Sequence, residues 1–180
     1  MRVWMMAVGV LALAGCADQV AATPSLPPAP VVTDWPASTA GGACRLLDYP
    51  TIEQAIGTRF DVSAATANRK TYTCVVQAQE ASRPDLALSV TATSADASIF
   101  KDEMVPKGAK QVKSLGKAAY RRTLAPGKGH GAGVEIGWLS GDGRLLSLRY
   151  TFAAGHDKAV ADAFAPKLIT LAKKIDTSRL

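Results

Sequence analysis

Three cysteines, Cys16, Cys44 and Cys74, are the residues whose spacing points most directly to chemistry. Cys16 ends the stretch Leu13-Ala14-Gly15-Cys16, in which an aliphatic residue and two small ones precede a thiol. Small side chains let a chain lie extended in a narrow peptidase site, and a free thiol there can take a diacylglyceryl group. If Cys16 is used in this way, Cys44 and Cys74 remain. In an exported domain two remaining cysteines make one disulfide most simply; the alternative is a pair of buried free thiols. A bridge closing a loop of about 30 residues contributes on the order of 3.5 kcal/mol in the chain-entropy model.

Other reactive residue types are sparse. The only histidines are His130, in Gly127-Lys128-Gly129-His130-Gly131, and His156, beside Asp157. A small envelope enzyme would have to use one of them. A nucleophilic serine on a constrained turn would carry G-x-S-x-G, which is absent, and Asp157 reads as a helix cap. The glycine run lacks the G-x-x-x-x-G-K-[ST] spacing and precedes a strand, so no helix N-terminus faces an anion there. Asp102 and Glu103 are neighbours on a helix and face different ways. No cluster of ligands predicts a metal, and no cofactor is expected.

One charge feature stands apart. No acid lies between Glu103 and Glu135, and the span holds Lys107, Lys110, Lys113, Lys117, Arg121, Arg122 and Lys128. Lysines guarding an exposed strand edge account for such a run. The functional reading is a patch, Lys107 to Arg122, for an anionic envelope polymer, lipid headgroups or an acidic protein partner. Arg121 and Arg122, adjacent on a strand, must point to opposite faces, so one can face a groove. The formal net charge of +6 is modest, and aromatics are only 6% of the chain. Neither argues for nucleic acid as a partner.

The N-terminal third places these residues. Arg2 supplies a positive start, and Val3 to Leu13 is an uncharged apolar run. That run is shorter than the roughly 20 residues a bilayer span needs. It reads as a lipoprotein signal peptide over residues 1–15, with Leu13-Ala14-Gly15-Cys16 as its lipobox. The alternative is an ordinary signal cut at an A-x-A-like site. Lipid on Cys16 would hold the exported chain to the outer face of the cell membrane. Residues 16–43 contain Pro24, Pro27, Pro28, Pro30 and Pro36 and read as a disordered tether, with Trp35 exposed upon it. In polyproline II, at about 3.1 Å per residue, it would reach roughly 80 Å.

Residues 44–180 read as one domain. Pro50 to Ile56 is a short helix stopped at Gly57, and Arg59 to Lys70 is polar and irregular. Thr71 to Gln79 and Leu86 to Thr93 alternate as strands around the turn at Ser82 to Asp85. A helix runs from Ala95 to Val105, stopped by Pro106, and Ala109 to Lys113 is a weak strand or turn. Lys117 to Leu124, Val134 to Leu139 and Arg144 to Phe152 are strands, the last two joined by the Ser140-Gly141-Asp142-Gly143 turn. A final helix from Asp157 to Ile175 carries Val160, Phe164, Leu168, Leu171 and Ile175 on one face, with Pro166 expected to kink or divide it. The order α-β-β-α-β-β-β-α predicts an α+β fold, a single antiparallel sheet of about five strands with helices on one face.

These features together, the lipobox, the Pro-rich segment, Cys44-Arg45-Leu46-Leu47, Thr73-Cys74-Val75, Leu115-Gly116-Lys117-Ala118-Ala119-Tyr120 and a closing helix, resemble the small actinobacterial cell-envelope lipoproteins with a two-cysteine domain of unknown function. The resemblance runs from Cys44 to about Ile175. It implies an exported α+β lipoprotein with a disulfide, and it carries over no catalytic residues. The expected role is a membrane-anchored binding or interaction module.

Overall fold

The computed structural model describes residues 36–179. The expected signal peptide, Cys16, Trp35 and most of the expected Pro-rich tether lie outside the described residues.

Seven strands form one antiparallel sheet in the order β1-β2-β3-β7-β6-β5-β4. They are β1 (Val62–Asn68), β2 (Thr71–Ala78), β3 (Ala81–Ala92), β4 (Lys110–Gln111), β5 (Ala118–Leu124), β6 (Gly133–Leu139) and β7 (Arg144–Thr151). The helices are α1 (Tyr49–Ile56), α2 (Ala97–Ile99, prolonged by a π turn over Phe100–Met104) and α3 (Lys158–Lys174). The α+β class and the antiparallel sheet agree with the expectation; the strand count does not. The segment Arg59 to Lys70, read as irregular, contains β1. It is held by its ladder to β2, Val62↔Gln77 through Asn68↔Thr71, rather than by an apolar face. The weak segment after Ala109 pairs at only two positions, Lys110↔Arg121 and Gln111↔Tyr120.

Alternation along the central strands sorts side chains onto two faces. Leu86, Leu88 and Val90 of β3, Val134, Ile136 and Trp138 of β6, and Leu146, Leu148 and Tyr150 of β7 enter the main core, with α1 and α3 packed over them. The helix α3 buries Ala161, Ala165, Leu168, Leu171 and Ala172, whereas Val160 is left 42% exposed. Small residues thus take positions that the hydrophobic pattern assigned to larger ones. The helix also runs on through Pro166 as one element.

The helices do not share one face. Phe100, Ala118, Tyr120 and Leu139 form a second apolar cluster. Ala118 and Tyr120 flank Ala119, which belongs to the main core, so period-two geometry places α2 on the opposite side of the sheet. Only the β5–β6 corner of that side is covered in this way. Farther along, hydroxyls pair across the strands: Thr71 with Thr91 at 2.8 Å and Thr73 with Ser89 at 3.0 Å.

Cys44 and Cys74 are joined in a disulfide, with both residues fully buried and their Cα atoms 4.9 Å apart. The bond ties the turn Gly42–Leu46 to β2. The folded part starts before Cys44, the expected end of the tether. Residues Ala37–Ala40 form a further 3-10 turn, and Ala37 and Ala43 are both in the main core. Gly41 and Gly42, at φ of 76° and 50°, adopt the left-handed backbone that returns this segment onto the domain. Among the described residues no helix is long and apolar enough to cross a membrane.

Candidate functional site

The site is built from the edge of the sheet. β4 covers β5 only at Tyr120 and Arg121, so Arg122, Thr123 and Leu124 have no strand partner on the outer side among the described residues. The chain leading into β4 borders this edge, and the start of α3 reaches it through Asp162. Between them lies a groove of about 370 Å³, lined by Lys107 and Lys110, by Arg121 to Ala125 of the β5 edge, and by Lys158 and Asp162 from α3.

Arg121 and Arg122 point to opposite faces, as alternation requires. On the α3 side Arg121 Nη1 lies 3.6 Å from Asp162 Oδ1, an ionic contact longer than a good hydrogen bond. The hydroxyl of Thr123 donates to the same carboxylate oxygen. On the α2 side Arg122 forks onto Glu135, Nε donating to Oε1 at 2.9 Å and Nη2 to Oε2 at 3.1 Å. Tyr120 adds a third bond, its hydroxyl donating to Oε1 at 2.8 Å. Glu135 is buried, and its negative charge is taken up by this triad. Burial first, and then the hydrogen bond to Glu135, push the Tyr120 hydroxyl far above the usual phenol range. Bonding to Glu135 raises the Arg122 guanidinium further, keeping it charged.

The electrostatic consequence is a surplus. The groove carries Lys107, Lys110, Arg121, Arg122 and Lys158 against Asp162, and Arg122 is neutralised by Glu135. Net of these, three positive charges are uncompensated. They belong to the exposed lysines, for which no acidic partner lies within ion-pair distance among the described residues.

Of the six basic positions singled out in the sequence, the fold brings Lys107, Lys110, Arg121 and Arg122 into this groove. Lys113 and Lys117 are exposed in the stretch between β4 and β5, outside it. Lys158 and Asp162 were not among the sequence candidates. Nothing local marks them, because only the packing of α3 beside β5 brings them to the strand edge. Glu135 had a signal: it is the first acid after the basic span.

The histidines sit elsewhere. His130 Nδ1 is 2.7 Å from the Gly131 carbonyl, in a turn closed by backbone bonds between Gly127 and His130. His156 stacks on Phe152 with ring centroids 5.3 Å apart, its Nδ1 3.1 Å from the Ala153 carbonyl. Among the described residues neither ring is bonded to a carboxylate or a hydroxyl, and no group of His, Cys, Asp and Glu is placed to hold a metal ion. A second cleft, of about 270 Å³, lies beneath α2 against Phe100, Val105 and Tyr120.

No family model matches the chain, and no curated protein or solved structure matches it significantly.

Proposed function

We propose that this chain is an exported lipoprotein, held by lipid on Cys16 to the outer face of the cell membrane, whose domain is a binding module for an anionic ligand of the envelope. The observation that carries the binding reading is the groove at the edge of β5. Cations from three separate elements converge there with three charges uncompensated, an arrangement that attracts and concentrates anions.

The anchoring reading is supported by Leu13-Ala14-Gly15-Cys16 after an uncharged apolar run. The Cys44–Cys74 disulfide is consistent with it, since such bonds persist in oxidising compartments. The resemblance to small actinobacterial envelope lipoproteins leads to the same place. A lipid-fixed module needs no catalytic group of its own.

The test is retention of a Cys16→Ser form of the full chain on isolated cell-envelope fractions. Retention should fall as salt rises, because exposed charges are screened beyond about 8 Å at physiological ionic strength. Lys110→Glu should weaken it and Lys113→Glu should leave it unchanged. Retention indifferent to salt and to Lys110→Glu would refute the binding reading.

A further inference from the structure

We propose that the groove at the β5 edge is a site for a phosphate group, and that Asp162 is its built-in competitor. The inference rests on the binding reading above and names the chemistry of the ligand.

Charge sets the first requirement. Three uncompensated lysines are matched poorly by one carboxylate, which brings a single charge. A phosphate group carries about −1.5 to −2 at neutral pH when singly esterified, with three strong acceptor oxygens. Lys107 comes from the segment leading into β4, Lys110 from β4 itself and Lys158 from the first turn of α3, so the lysines border the groove from separate elements. A compact anion seated in the groove is within the lining of all three. The concavity, about 370 Å³, is of the size that takes a small ligand rather than a protein surface.

Asp162 sets the second. Among the described residues lining the groove it is the one carboxylate; it accepts a hydrogen bond from the Thr123 hydroxyl, but its hold on Arg121 is loose, at 3.6 Å with its side chain 53% exposed. Arg121 is therefore engaged by a weak internal counter-ion, whereas Arg122 is locked in a two-pronged bond with Glu135. An incoming phosphate displaces the Asp162 carboxylate from Arg121 and gains a guanidinium able to bond through two N–H groups. Arg122 stays with Glu135 and shapes the floor.

The experiment is a titration of the ¹⁵N-labelled full chain in micelles of neutral detergent, read by amide chemical shifts. One arm adds sodium pyrophosphate; the other exchanges a fraction of the detergent for phosphatidic acid, a lipid whose phosphate is singly esterified. Saturable shifts at Lys110, Arg121, Thr123 and Lys158 are expected in at least one arm, and the responding arm tells free phosphate from lipid headgroup. Lys158→Glu should weaken binding about tenfold or more, and Asp162→Asn should tighten it about three- to tenfold. Both side chains are exposed, so the fold is kept. Sodium acetate at equal ionic strength producing the same shifts, or Asp162→Asn loosening the complex, would overturn the proposal. Shifts with poly-glutamate but with neither phosphate probe would also overturn it, while leaving the anionic-ligand module standing. Loss of salt-sensitive envelope retention as well would take both down.

Discussion

Arg122 and Glu135 face each other directly across the β5–β6 ladder, and the guanidinium holds both carboxylate oxygens, at 2.9 and 3.1 Å. The pair fixes the floor of the basic groove from the side that the groove does not use. Glu135→Gln removes the charge that Arg122 and Tyr120 both address. It should cost about 1–2 kcal/mol by urea denaturation, moderated because the Arg122 side chain is 38% exposed and can turn to water. Tyr120→Phe should cost about 1 kcal/mol. The double variant should lose less than the sum, because both changes break the same network.

The same hydroxyl sets an alkaline limit. Burial and Glu135 hold the folded Tyr120 phenol well above its ordinary value near pH 10, the unfolded reference. A group whose pKa is raised by folding contributes stability that is complete below the unfolded value and is lost as pH rises beyond it. Stability should therefore decline from about pH 10 upward, and Tyr120→Phe should flatten that decline. Denaturation midpoints measured across the alkaline range would read this directly. Tyr150, also raised by burial, should leave a residual slope.

Gly137 is the counterpart that makes room for this ring. A Cβ added there would lie 2.4 Å from Tyr120 Cε1 and Cζ. Tyr120 is stacked on Phe100, centroids 6.0 Å apart, and bonded to Glu135, so it has little freedom to yield. Gly137→Ala should cost about 1–3 kcal/mol and loosen α2, seen as faster amide exchange over Phe100–Met104.

The disulfide is the main covalent restraint among the described residues. Its sequence separation of 30 gives a loop whose closure is worth roughly 3–4 kcal/mol in the chain-entropy model. Cys44→Ala with Cys74→Ala should lower stability by about that amount. Reductant should bring the thermal midpoint of the unsubstituted chain down to that of the double variant, whose own midpoint should not respond to it.

Much of this fold was legible in the residues. Leu146, Leu148, Tyr150 and Phe152 alternate over one face, and Pro50 and Gly57 bracket α1 as capping chemistry predicts, whereas the Asp48 N-cap was found only in the structure. β1 was not legible, because Ala64, Ala65, Thr66 and Ala67 are exposed on both sides and only the backbone ladder defines the strand. Val160 was assigned inward by its size, yet Ala161 and Ala165 take that side of α3. The side of the sheet chosen by α2 depends on Phe100 finding Tyr120, a tertiary choice that local pattern does not encode. For the groove, the absence of acids between Glu103 and Glu135 identified four of its cations. Lys158 and Asp162 needed the fold, since their only link to Arg121 is through space.

The most direct test of the central claim is intact-mass and N-terminal peptide analysis of the chain purified from membranes of an expressing bacterium. A chain beginning at Cys16 and carrying diacylglyceryl and acyl mass, lost from the membrane fraction in Cys16→Ser, is the predicted result. A mature chain with Cys16 unmodified, or acylation that persists in Cys16→Ser, would contradict the anchored-module account.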